Sequence, residues 1–144
     1  MNRLLALLAL LLPVLPALAC PGLSISGAWV REAPPGAHGT AAYFTLHNGG
    51  AAPLVLEGWT SSAFAHVMLH ETVVTGDRAE MRHRKALTLA AGERVALSPG
   101  GLHLMLMQAT APLVAGQPVT LNFNCNGQAA ALSAPVLQEA PSSR

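Results

Sequence analysis

From residue 23 onward the apolar residues recur mostly at every second position, the period of a strand with one buried face. In VTLNFNC, Val119, Leu121, Phe123 and Cys125 share one face, and Thr120, Asn122 and Asn124 share the other. In YFTLH, Phe44 and Leu46 oppose Tyr43, Thr45 and His47. In GGLHLMLM, Leu102, Leu104 and Leu106 oppose His103, Met105 and Met107. The same logic marks LSISGAWVREA, TAAYFTLHN, LVLEGWT, AHVMLHETVV, RAEMRH, RVALS, LHLMLMQA, PVTLNFNCN and AAALSAPV as strands. Turn-forming runs such as PPGAHG, GGAAP, TGD and PGG separate them. LTLAAGERVAL has some helical character, but no stretch keeps a helical period for three turns. Short strands at this spacing predict an all-β, antiparallel sandwich or barrel.

The first nineteen residues break the pattern. A short basic start (MNR), an apolar run and Ala17-Leu18-Ala19 before Cys20 have the organisation of a secretory signal peptide. Pro13 and Pro16 interrupt the run and argue against a retained membrane span. The expected organisation is therefore a leader over 1–19, one β-domain over 20–137 and a flexible tail over 138–144. Without the leader, and so without Arg3, seven basic residues balance seven acidic ones. A neutral domain whose one basic cluster is RHRK offers no surface for nucleic acid.

Export implies an oxidising compartment and gives the two cysteines, Cys20 and Cys125, their significance. They allow a single intramolecular disulfide. Cys20 also stands where a lipid could be attached, although ALAC has alanine where a lipoprotein signal usually has leucine. Cys125 alone would be an ordinary small buried hydrophobe. There is no CxxC motif for redox chemistry.

The candidate chemistry lies in the methionines. After the initiator, all four (Met68, Met81, Met105 and Met107) fall between residues 66 and 107, with four of the six histidines: His66, His70, His83 and His103. The two residue types stand two apart in His66-Val67-Met68, Met68-Leu69-His70, Met81-Arg82-His83 and His103-Leu104-Met105. Along a strand, such pairs share a face. A lone methionine is usually core filling, yet in LHLMLM the leucines already supply a core face. Thioether sulfur is soft and uncharged, and with neutral imidazole it selects Cu(I). Zinc draws on thiolate, imidazole or carboxylate, and calcium and magnesium on oxygen.

The chain resembles the periplasmic copper chaperone family known as PCuAC, whose signature is a histidine, ten residues, a methionine, twenty-one residues and H-x-M. Here His70 is followed by ten residues and Met81, then by twenty-one residues and His103-Leu104-Met105. AWVREAPPGA, AYFTLHN, LHET and LSPGGLHLMLM match the surroundings, and the likeness spans about residues 23–136. The resemblance implies a cupredoxin-like, Ig-like β-sandwich holding one Cu(I) ion on His70, Met81, His103 and Met105. It also implies a transient protein acceptor: the copper A subunit of cytochrome c oxidase, or a Sco-type protein. The expected location is the periplasm, with membrane attachment only through a lipid on Cys20. His66, Met68 and His83 lie outside the signature, and Met107 either shields the ion or packs. The His- and Met-rich tail of many members has no counterpart after Met107.

Three rivals are weighed against this expectation. An electron-transfer blue copper site needs a cysteine with two histidines, and no histidine or methionine follows Cys125. A copper buffer that stores without delivering would use the same ligands. An adhesive or structural sandwich would use none. No Ser/His/Asp arrangement, carboxylate pair or open metal–water site marks an enzyme.

Overall fold

The computed structural model describes residues 20–142. The leader predicted over 1–19 lies outside these residues. Ten strands follow one another: β1 (Leu23–Arg31), β2 (Gly39–Asn48), β3 (Leu54–Thr60), β4 (Phe64–Thr75), β5 (Arg78–Arg84), β6 (Ala86–Leu89), β7 (Arg94–Leu97), β8 (Leu102–Ala109), β9 (Pro118–Cys125) and β10 (Gln128–Leu137). No helix occurs among the described residues. The all-β expectation holds, with two refinements. Ala86–Leu89 forms a short strand that the sequence pattern does not single out, because four residues at a sheet edge carry too little alternation. One pairing, β1 with β10, is parallel, so the sheet is mixed rather than wholly antiparallel.

Strand order is β5-β4-β8-β2-β1-β10-β9-β3-β6, with β7 pairing along the second half of β2. The β1–β10 seam joins two halves that fold against each other over one core. That core includes Val30, Phe44, Leu46, Leu69, Leu104 and Leu106 from one half and Leu56, Trp59, Leu121, Phe123 and Val136 from the other. Across the layers the Trp59 ring lies 5.7 Å from that of Phe44, and within its own layer 4.7 Å from that of Phe123. The predicted inward set Val119, Leu121, Phe123 and Cys125 is buried, and Thr120, Asn122 and Asn124 are exposed.

Cys20 and Cys125 form a disulfide, with Cα atoms 5.8 Å apart. Both cysteines are 2% exposed and belong to the core. Of the alternatives open from sequence, the structure therefore pairs them and clips the segment before β1 to the end of β9.

Turn chemistry sets the registers near the site. Thr75 pairs with Arg78 across a two-residue turn, Gly76-Asp77, and Gly76 has φ 61°. A positive φ at the first turn position alone is what a type II′ hairpin requires, and glycine adopts it without a Cβ clash. Asn126 and Gly127, both at positive φ, make the matching tight turn between β9 and β10.

Candidate metal centre

The outer face of the β5-β4-β8 sheet carries the histidines and methionines, because directly paired residues point to the same side. His70 on β4 pairs with His83 on β5 and with His103 on β8. Three imidazoles thus lie in one row, with ring centroids 5.7 Å (His70–His83) and 5.9 Å (His70–His103) apart. Their alternating neighbours Leu69 and Leu104 are fully buried in the core. The predicted division of β8 into a leucine face and a His/Met face therefore holds.

The two thioethers flank this row from opposite directions. Met81 pairs with Thr72, two residues beyond His70 toward the β4–β5 turn, and Met105 pairs with Met68, two residues the other way. Met81 and Met105 nonetheless line one concavity of about 340 Å³, together with Thr72, His103, Ala41 and Tyr43. Met81 stands on the edge strand and is 59% exposed, whereas Met105 is half-buried between β4 and β2. An unbranched side chain with three rotatable bonds can swing from that edge toward the imidazoles.

His103 is 5% exposed, unusual for the outer face of a sheet. Its Nδ1 lies 3.0 Å from the carbonyl oxygen of Gly101, which also accepts the Thr72 N–H at 3.2 Å. With Nδ1–H donating to that carbonyl, Nε2 keeps its lone pair for a metal, and the ring is held in one orientation. The PGG turn that the sequence marks as a break thus supplies the oxygen that orients the histidine.

His70 shows the opposite feature. Its Nδ1 is buried without a hydrogen-bond partner. Burial, then the adjacent His103 and His83 imidazoles, lowers its pKa below 6.5. The ring is accordingly neutral at pH 7, as a ligand must be. A buried nitrogen with no partner is an unmet demand that a cation on this face would satisfy.

Among the described residues, no three His, Cys, Asp or Glu side chains converge closely enough to hold a metal by themselves. The further donors beside the imidazoles on this face are thioethers, a set that suits a soft ion. The disulfide removes Cys125 as a thiolate ligand, so the blue-copper arrangement has no cysteine to use.

Sequence alone does not show the wall beside the site. Tyr43, assigned by alternation to the outer face, is buried there against Trp29, with ring centroids 5.0 Å apart. The Arg31 guanidinium lies over both rings, 5.9 Å from that of Trp29 and 5.6 Å from that of Tyr43. A bulge between Ser26 and Trp29 sets this pairing, and bulges leave little trace in a pattern of period two. His83 is likewise brought into the imidazole row by pairing rather than by any spacing.

Comparison with known proteins places the chain among related sequences and structures. The LpqE-like family model, described as "Putative lipoprotein LpqE-like", matches residues 23–136. "Putative lipoprotein Lxx21020" of Leifsonia xyli subsp. xyli (strain CTCB07) is 40% identical over 118 residues, covering 80% of this chain and 69% of that protein. The solution structure of CuI-DR1885 from Deinococcus radiodurans superposes with a TM-score of 0.68 at 32% identity, over 84% of this chain and 81% of that one. The copper-bound PCuAC domain from PmoF2 superposes with a TM-score of 0.69 at 23% identity, over 85% and 97% of the two chains, a likeness of fold.

Proposed function

The chain belongs to the LpqE-like family, and from that premise we propose that it is an exported copper chaperone that carries Cu(I) on His70, Met81, His103 and Met105. The observation that carries this function is a concavity lined by His103, Met81 and Met105, with His70 directly beside His103 at a ring-centroid distance of 5.9 Å. The relatives of known structure include copper-bound and Cu(I)-bound domains, and the one at 32% identity supports transfer of the cargo to this chain.

The arrangement accounts for both holding and release. His103 is preset by Gly101, and His70 offers a neutral ring with an unpartnered nitrogen, so two ligands are in place before the ion arrives. Two imidazoles and two thioethers bring no negative charge, so they bind Cu(I) less tightly than a thiolate site would. A thiolate-bearing acceptor then wins the ion by stepwise ligand exchange. Met81, exposed on an edge strand, is the ligand that an approaching acceptor displaces first. No bond of the protein is made or broken, so the function is transfer rather than catalysis. The acceptor we propose is a periplasmic copper site such as the copper A centre of cytochrome c oxidase or a Sco-type protein.

The site of action is the periplasm. A thioether-linked lipid on Cys20 would need the sulfur that the disulfide with Cys125 uses. The folded, oxidised domain therefore works without an anchor at that residue, whatever the lipoprotein name of its relatives.

An anaerobic Cu(I) competition titration tests the ligand set. His103→Ala and Met81→Ala should each weaken binding more than the roughly 10–100-fold typical of losing an outer-sphere partner. X-ray absorption of the loaded protein should show a shell of nitrogen and sulfur together. Binding as tight as wild type in both variants would remove the assignment.

A further inference from the structure

One rung from the candidate centre, toward the far end of β4 and β8, a second group of ligands remains unused. His66 pairs with Met107 and Met68 pairs with Met105, on the same outer face as His70 and His103. These are two successive same-face rungs of one antiparallel ladder. Paired Cβ atoms there lie about 4.5–5.5 Å apart, and same-face neighbours along a strand about 6.5–7 Å apart. Four side chains, one imidazole and three thioethers, thus occupy the corners of a compact quadrilateral. The four residues of the signature are spread more widely, over three strands.

None of these residues is needed for the core. Val67, Leu69, Leu104 and Leu106 fill the inner face of the same strands. Met68, Met105 and Met107 are half-buried and His66 is exposed. Flanking β2 is cut away beside them: Ala41 pairs with Met105 and Gly39 with Met107. A Cβ at Gly39 would stand 2.5 Å from the Met107 sulfur, so even alanine there would collide with its present position. Glycine thereby leaves the Met107 thioether room on the outer surface over β2, and, being unbranched, the side chain can rotate from there across β8 toward its β4 partner His66.

We propose that His66, Met68 and Met107, with Met105 shared between the two centres, form a second and weaker Cu(I) station. It rests on the copper-chaperone function proposed above. With one imidazole and three thioethers the site takes a soft monovalent ion and offers little to zinc or to oxygen-seeking cations. Because Met105 faces both Met68 and the His70–His103 rung, an ion can pass between the stations by exchanging one thioether at a time. The ladder is then a track along which copper enters at the His66 end and settles at the imidazole rung, with no change of oxidation state.

Anaerobic titration of the mature protein with Cu(I) against a chromophoric chelator, following the methionine methyl signals by NMR, tests this inference. Wild type should take two equivalents, the second weaker and shifting the Met107 and Met68 methyls. The double variant His66→Ala/Met107→Leu should take one, with the tighter affinity unchanged and with an unaltered apo spectrum elsewhere. His103→Ala should lose the tighter equivalent and keep the weaker one. Saturation of wild type at one equivalent that His103→Ala abolishes would overturn the second station and leave the first centre standing. So would a second equivalent that survives in the double variant. A single equivalent lost only in the double variant would support the station and remove the first centre. Absence of any uptake would remove both.

Discussion

His70 has an imidazole on each side and a buried nitrogen with no partner, and its protonation governs how the site responds to pH. In the unfolded chain it takes up a proton near the ordinary 6.5, but in the fold its pKa is lowered, first by burial and then by His103 and His83. Below 6.5 the unfolded chain therefore binds more protons than the folded one, and stability decreases as the pH is lowered. The contribution is present above 6.5 and is lost between 6.5 and the lowered folded value. The urea midpoint of the copper-free protein should drop between pH 7.5 and 5.5, and His70→Gln should flatten that slope. Cu(I) affinity should fall over the same interval, because protons compete for imidazole but not for thioether. An affinity flat with pH would count against histidine ligation. Asn48 is a second residue whose role is set by burial. Its Nδ2 reaches the carbonyls of Ala52, Leu89 and Ala90 at 2.8, 3.1 and 3.1 Å, and its Oδ1 accepts the Gly50 N–H at 3.0 Å. Asn48→Ala would strand these groups at a cost of about 2–3 kcal/mol, measurable as a lower Tm with Cu(I) stoichiometry unchanged.

At the scale of elements, the site joins strands of unequal security. β8 lies inside the sheet between β4 and β2, and its leucines are in the core. β5 is an edge strand, exposed at every residue and attached through β4 alone. Amide exchange should therefore be fast along β5 and slow along β8, with protection rising in β5 when Cu(I) draws Met81 inward. Equal protection in both strands without copper would contradict a mobile Met81. The same contrast explains what could be read in advance. Eight of the strands are visible as alternation because each has a face to bury, whereas β5, exposed throughout, is marked by the TGD turn before it. The short edge strand β6, four residues long, is visible only once β3 is seen beside it.

For the whole molecule, the disulfide matters most. It links residues 105 apart in sequence and ties the start of the β-domain to the strand before the last. Closing a loop of this size in the unfolded chain stabilises the fold by about 3–5 kcal/mol. Reductant or Cys125→Ser should accordingly lower Tm by many degrees without removing the proposed copper ligands, which all lie elsewhere. Intact-mass analysis of the mature protein should find Cys20 without a lipid and two hydrogens missing. A diacylglycerol adduct on Cys20 would refute the disulfide as the resting state.

Most of the fold was legible because burial imposes its period on the residues themselves: Val119, Leu121, Phe123 and Cys125 face inward because their polar alternates cannot. The His/Met cluster between residues 66 and 107 was legible as a chemistry, since thioether and imidazole together describe a soft ion, and His70, Met81, His103 and Met105 were singled out within it only by their match to the PCuAC signature. Sequence also named both cysteines, but not whether Cys20 would carry a lipid or meet Cys125. The tertiary structure decided what depends on register and on packing between distant segments. It set the imidazoles of His83, His70 and His103 in one row, gave Gly101 the orienting of His103, and paired His66 with Met107. It also buried Tyr43 on an outward face. Apart from the Gly101–His103 contact, which is local to the PGG turn, each arises where strands are hydrogen-bonded side by side, and only the pairing decides which side chains meet.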